Sequence, residues 1–137
     1  MALWTNEGML DSTRAYLAGG PVPAFWCTLY TNDVTPGPVT VWGDLIECVL
    51  PNYVRQPLVP ATWTLGVAGG LVTSTYPTLT FTFGANAGGT TIYGFMVANT
   101  AGGLTRTGWG ERFAVPYAVP AAGGTLVLDL SDYDQAR

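Results

Sequence analysis

The chain has 137 residues, of which 48% are hydrophobic and only 10% charged, and it holds nine acids, five arginines, no lysine and no histidine. An ordinary soluble domain is about 25% charged, so much of this surface must be threonine, glycine, proline and apolar atoms. The arginines at positions 14, 55, 106, 112 and 137 are scattered and the net charge is -4, which argues against nucleic acid and against an anionic membrane surface as partners.

The length suits one domain, residues 1–137, with a single core. From Asn6 to Leu17 a short helix is predicted, with Met9, Leu10, Ala15, Tyr16 and Leu17 as an apolar stripe, Asn6 as N-cap, and Gly19-Gly20 closing a helix-and-turn unit over 6–20. Two roles fit it: a plug over one end of a sandwich, or an arm that packs on a neighbouring subunit. Ala24 to Thr31 reads as a strand, with Phe25, Cys27 and Leu29 on one face and Trp26, Thr28 and Tyr30 on the other. After the Asn32-Asp33 and Pro36-Gly37-Pro38 loop come a segment over Leu45–Leu50 and one over Tyr53–Val59, whose prolines confine it to an edge or to irregular structure.

Gly69-Gly70 between Trp63–Leu65 and Leu71–Thr75 predicts a hairpin with a primed turn. Leu79, Phe81 and Phe83 alternate with threonines as a half-buried strand. Over Thr91–Ala98, alternation sets Tyr93, Phe95 and Val97 on one face and Ile92 and Met96 on the other, both covered. Strands over 104–115 and 126–130 follow glycine turns. The spacing predicts an all-β, antiparallel β-sandwich or jelly-roll-like fold with one short N-terminal helix. No run of about 18 apolar residues is present to span a bilayer as a helix, and the stretch between Arg55 and Arg106 carries no charge at all.

Without histidine, neither a Ser-His-Asp nor a Cys-His arrangement can be built. A carboxylate pair drawn from Asp33, Asp44, Glu47 and Glu111 is the remaining route to hydrolysis, but nine acids in such a chain are ordinary, so the reading is non-enzymatic with no catalytic residues. Cys27 and Cys48 lack the spacing and the histidine of a zinc site, and the Asp129, Asp132, Asp134 tail lacks the glycine and glutamate of a calcium loop. No metal or cofactor is expected. Nothing at the N-terminus combines a basic head with an apolar signal core, so both cysteines are read as buried free thiols. Five tryptophans in a charge-poor chain suggest interface use, since aromatic side chains and arginine anchor protein contacts and aromatic faces also stack on sugars. The candidates are Trp26, Tyr30, Trp42, Trp63, Trp109 and Arg112. Glu111 and Arg112, adjacent on a strand, point to opposite faces, and Arg112 is expected to meet Asp44 or Glu47 at a subunit boundary.

Four segments, Leu29-Tyr30-Thr31-Asn32-Asp33-Val34-Thr35-Pro36, Asn52-Tyr53-Val54-Arg55-Gln56-Pro57-Leu58, Tyr93-Gly94-Phe95-Met96-Val97 and Trp109-Gly110-Glu111-Arg112-Phe113, resemble small virion proteins of tailed bacteriophages in wording, order and spacing. The opening helix with Gly8 fits as well, and the resemblance spans residues 6 to 130. It implies a β-sandwich on the outer capsid surface, made in the host cytoplasm, of the capsid decoration or cement class. Such proteins commonly act as trimers that bind the major capsid protein. Position 52 departs from the pattern, holding Asn where Gly usually precedes the aromatic. Other implied roles are a tail or neck subunit, or a carbohydrate-binding module of a host-attachment device with the tryptophans as glycan platforms.

Overall fold

The computed structural model describes residues 3–19, 24–101 and 104–135. Its elements in chain order are β1 (Leu3–Trp4), α1 (Asn6–Leu17), β2 (Phe25–Tyr30), β3 (Gln56–Leu58), β4 (Thr64–Ala68), β5 (Leu71–Phe83), β6 (Thr91–Ala101), β7 (Leu104–Ala118) and β8 (Gly124–Gln135), with short 3-10 turns at Trp42–Asp44 and Pro60–Thr62. Two antiparallel sheets pack as a sandwich: one in the order β1-β7-β6-β2-β3, in which β1 is a two-residue stub, and one in the order β4-β5-β8.

Between the sheets, Cys27, Leu29, Phe95, Val97 and Trp109 from one layer meet Leu79, Phe81, Phe83, Leu128 and Leu130 from the other. Burying side chains of this size contributes roughly 1.5–3 kcal/mol each before entropy is counted. Both cysteines lie unpaired in this core, and burial pushes the Cys27 thiol well above its ordinary range. The reverse face of the larger sheet carries a second, smaller cluster of Tyr30, Leu45 and Met96, flanked by Val34, Trp42 and Tyr93.

The predicted hairpin is present, and its two glycines have φ of 58° and 78°, the left-handed pair that a primed turn demands. Pro57 sits on the edge strand β3, and Pro77 lies inside β5 at the bulge between Tyr76 and Leu79, two places where a missing amide is tolerated. Asn52 has φ of 63°, so the position at which the resembling pattern has glycine is a left-handed one that Asn can also occupy.

The segment over Leu45–Leu50 contributes one bridge, Tyr30 to Glu47. Three expectations need correction. Ile92 belongs to the inter-sheet core with Phe95 and Val97, whereas Tyr93 joins Met96 on the reverse face. A register slip against β7 causes this, Ile92 facing Tyr117 and Gly94 facing Arg112. The N-cap of α1 is Thr5, whose Oγ1 accepts the Gly8 amide at 3.0 Å, not Asn6. Met9, Leu10 and Leu17 of the predicted stripe are exposed, while Thr5, Gly8 and Asp11 are buried. Ala15 and Tyr16 of that stripe have side chains outside the described set, and Gly20 lies outside the described residues.

Candidate interaction surfaces

The four segments that carry the resemblance are neighbours in space. Tyr30 on β2 pairs with Gly94 on β6, and Gly94 pairs in turn with Arg112 on β7. The Tyr30 ring needs a residue without a side chain at 94, because a Cβ there would strike its hydroxyl and lie 2.7 Å from its Cζ. Its hydroxyl reaches the Val34 carbonyl at 3.0 Å and the Glu111 carbonyl at 3.3 Å. Burial raises the Tyr30 phenol well above its ordinary range, and the Arg112 charge only partly opposes that.

Arg112 Nε donates to Asp33 Oδ1 at 2.7 Å, and its guanidinium lies 5.6 Å from the centre of the Tyr93 ring. The expected pairing with Asp44 or Glu47 is therefore corrected. Both of those acids are occupied by nearer groups within the chain. Asp44 Oδ2 accepts the Val41 amide at 2.9 Å. Glu47 takes two bonds of 2.7 Å from Arg55, whose guanidinium lies 5.2 Å from the Trp42 ring centre. Tyr53 ties this second pair to the core, donating to Glu47 Oε1 at 3.1 Å, accepting the Leu29 amide at 3.0 Å, and stacking on Phe81 with 6.1 Å between ring centres. Burial raises the Tyr53 phenol well above its usual range. Asn32 completes the frame by bonding the Asp44 carbonyl and the Ile46 amide, each at 2.8 Å. The motif residues thus pin the 31–55 loop against the larger sheet, with Val34, Trp42 and Leu45 on its reverse face and Cys48 and Tyr53 at the inter-sheet core.

Of the six interface candidates, Tyr30 is 1% exposed and Trp109 is 4% exposed, so neither can anchor a partner. Their rings are consumed by packing: Trp109 contacts Trp4, Trp63 and Phe95 at centroid distances of 6.4, 6.2 and 5.6 Å. Trp26, Trp42 and Trp63 are half-buried, as is Arg112 in its pairing with Asp33. Trp63 packs edge-on to Tyr76 at 5.0 Å. An apolar cleft of about 230 Å³ opens among Trp4, Phe25, Leu58, Trp63, Leu65 and Trp109. A larger groove of about 490 Å³ runs between β7 and β8, lined in part by Phe95, Glu111, Phe113, Tyr117, Leu126 and Leu128.

The exposed apolar surface is aliphatic instead. Val39, Ile46, Val49, Val54, Leu65, Val67, Leu104, Val115 and Val127 all face solvent, as do Met9, Leu10 and Leu17. The sequence signal for them was the shortage of charge, which announces an apolar surface without saying which side chains form it. Leu65 and Val67 alternate in phase with the core-packed Trp63, so β4 continues its inner-face pattern past the packed core. Asp129 accepts from Thr78 Oγ1 at 2.8 Å, and among the described residues no group of three or more His, Cys, Asp or Glu could hold a metal ion. No helix among the described residues is long and apolar enough to cross a membrane. Compared with protein-family models, curated proteins and solved structures, the chain matches none.

Proposed function

We propose that this chain is a non-enzymatic virion structural protein that decorates and stabilises a bacteriophage capsid, binding the major capsid protein as a homotrimer on the outer surface. The observation that carries this reading is an exposed aliphatic surface on a sandwich in which three of the five arginines are held in ion pairs within the chain: Arg55 on Glu47, Arg106 on Asp11 and Arg112 on Asp33. A seam-covering protein gains its free energy by burying apolar area, and a stable contact of standard size buries about 1,200–2,000 Å². The wording shared with small phage virion proteins supports the same assignment and falls on the residues that hold the 31–55 loop in place.

The glycan-binding alternative draws less support. None of the five tryptophans is in the exposed class, and the neighbouring ring pairs Trp4–Trp109 and Trp63–Trp109 are tilted by 40° and 60° instead of forming a flat platform. A tail or neck subunit would suit the same fold, and only partner choice separates it from a capsid protein.

The test is co-sedimentation of the purified protein with capsid shells that lack it. Saturable binding that weakens less than tenfold between about 0.1 and 1 M salt is expected, because little of the contact energy is Coulombic and open to screening. Absence of shell binding overturns the capsid assignment in favour of the tail or neck.

A further inference from the structure

Among its described side chains, helix α1 is inverted relative to an ordinary surface helix, which turns its apolar stripe to the core and its polar side to water. Toward the sheet it directs Thr5, Gly8 and Asp11. Thr5 Oγ1 lies 2.9 Å from the Gly108 carbonyl, Asp11 Oδ2 accepts from Arg106 at 2.9 Å and from the buried Asn99 at 3.1 Å, and Glu7 Oε2 accepts the Thr107 amide at 3.0 Å. Gly8 lies against the backbone of Gly108, where a Cβ would fall 2.6 Å from the Gly108 Cα. Outward it exposes Met9 by 52%, Leu10 by 45% and Leu17 by 74%. The Asn6 amide donates to the Pro38 carbonyl at 2.7 Å, which sets beside this helix a loop whose Val39 and Val41 are 81% and 43% exposed.

We propose that this outward face of α1, together with the 38–41 loop, packs against the same face of neighbouring copies of the chain around the oligomer axis. The inference rests on the homo-oligomeric part of the decoration reading and names the surface that would serve it.

Four observations select the occupant. The exposed residues Asn6, Leu10, Thr13 and Leu17 recur at spacings of four, three and four, the pattern by which one helix seats against another. Among the described residues α1 is the only α-helix, so an identical copy supplies the matching element. Charge points the same way. Two copies of a chain with net charge -4 repel, least of all through a face without a free acid, and both acids of α1 are engaged with the sheet. Area bears on it as well. At roughly 60–120 Å² for a fully exposed aliphatic side chain, the five, whose exposures add up to about three whole side chains, supply on the order of 180–350 Å² of apolar surface. The apolar part of the roughly 800 Å² that each partner gives to a standard interface is of the same order.

The experiment is the sedimenting mass of the full chain at micromolar concentration, compared with the double variant Leu10→Glu, Leu17→Glu and with Val127→Glu, which alters an exposed valine on β8. The wild type and Val127→Glu should sediment as the same oligomer, and the double variant should fall to the single-chain 14.5 kDa with an unchanged far-UV spectrum. A wild type that already sediments at 14.5 kDa, or a double variant that keeps the wild-type mass, overturns the proposal. Should the double variant fail to fold, Thr13→Cys decides: oxidation should link two copies through position 13, since the native thiols are buried, and absence of the linked species overturns the proposal. Shell co-sedimentation is scored separately: an oligomer that ignores shells counts against the decoration reading alone, and a monomer that binds them counts against this interface alone.

Discussion

The inner face of the five-stranded sheet and the attachments of its helix and long loop are held by different physics. The inner face meets the second sheet through aromatic and aliphatic side chains, with Trp109 surrounded by Trp4, Trp63 and Phe95. The helix and the long loop are fastened instead by side chains that make directed bonds: Arg112 to Asp33, Arg55 to Glu47, Arg106 to Asp11, and Thr107 Oγ1 to the Thr40 carbonyl at 3.0 Å. The contacts of an apolar core have no direction, whereas these bonds need both partners in place. One group among them is unmet, the buried Oδ1 of Asn99, and an unsatisfied acceptor costs about 1–3 kcal/mol. The apolar core is expected to carry most of the stability, and the directed bonds to fix where the helix and the long loop sit.

The contrast is testable from its largest consequence downward. Trp109→Ala removes the centre of the aromatic cluster and should lower unfolding free energy by about 3–5 kcal/mol, read from urea unfolding with an unchanged denaturant slope. A loss below about 1 kcal/mol would mean that the inner face is not where stability resides. Gly8→Ala should act on the attachment of the helix. The new methyl meets the Gly108 backbone, which cannot move aside as a side chain would, and overpacking of this kind costs about 1–3 kcal/mol. Alanine regains up to about 1 kcal/mol through helix propensity, so the expected signature is modest destabilisation together with faster amide exchange throughout α1. Unchanged exchange in α1 would show that the close approach does not position the helix.

The smallest effect is a titration. The Tyr30 and Tyr53 phenols are raised in the folded chain by burial, above an ordinary value near 10. In that range the unfolded chain releases protons that the folded chain keeps. Their contribution is complete below about pH 10 and is lost as pH rises toward the folded values. The Cys27 thiol behaves alike from about pH 9 upward. Stability should hold level from neutral pH to about 9 and then fall, and Tyr30→Phe should make the fall above pH 10 less steep. An equally steep fall in that variant would remove Tyr30 as a contributor.

Local chemistry made much of the fold legible. Gly69-Gly70 announces a turn that needs two left-handed residues, and the Leu79, Phe81, Phe83 alternation announces one buried face; both are properties of adjacent residues alone. The candidate surface was far less legible. Some of the large aromatic residues were expected at an interface, yet Tyr30 and Trp109 of the six candidates are among the most buried side chains, Trp109 in the inter-sheet core and Tyr30 in the cluster beneath the loop. The aliphatic residues left outside carry no local mark that separates them from core residues.

By itself, then, the sequence determined the strand content, the hairpin, the missing imidazole chemistry and the shortage of surface charge, each of which depends on composition or on neighbours along the chain. Tertiary structure alone decided that Tyr93 and Ile92 exchange faces, that Arg112 meets Asp33, and that α1 turns its acids inward and its leucines outward. The register of β6 on β7 sets the first, the folding of the 31–55 loop over the larger sheet sets the second, and the close approach of Gly8 to Gly108 sets the third. These are contacts between residues tens of positions apart, and no periodicity within one segment can encode which side of it a distant segment will cover.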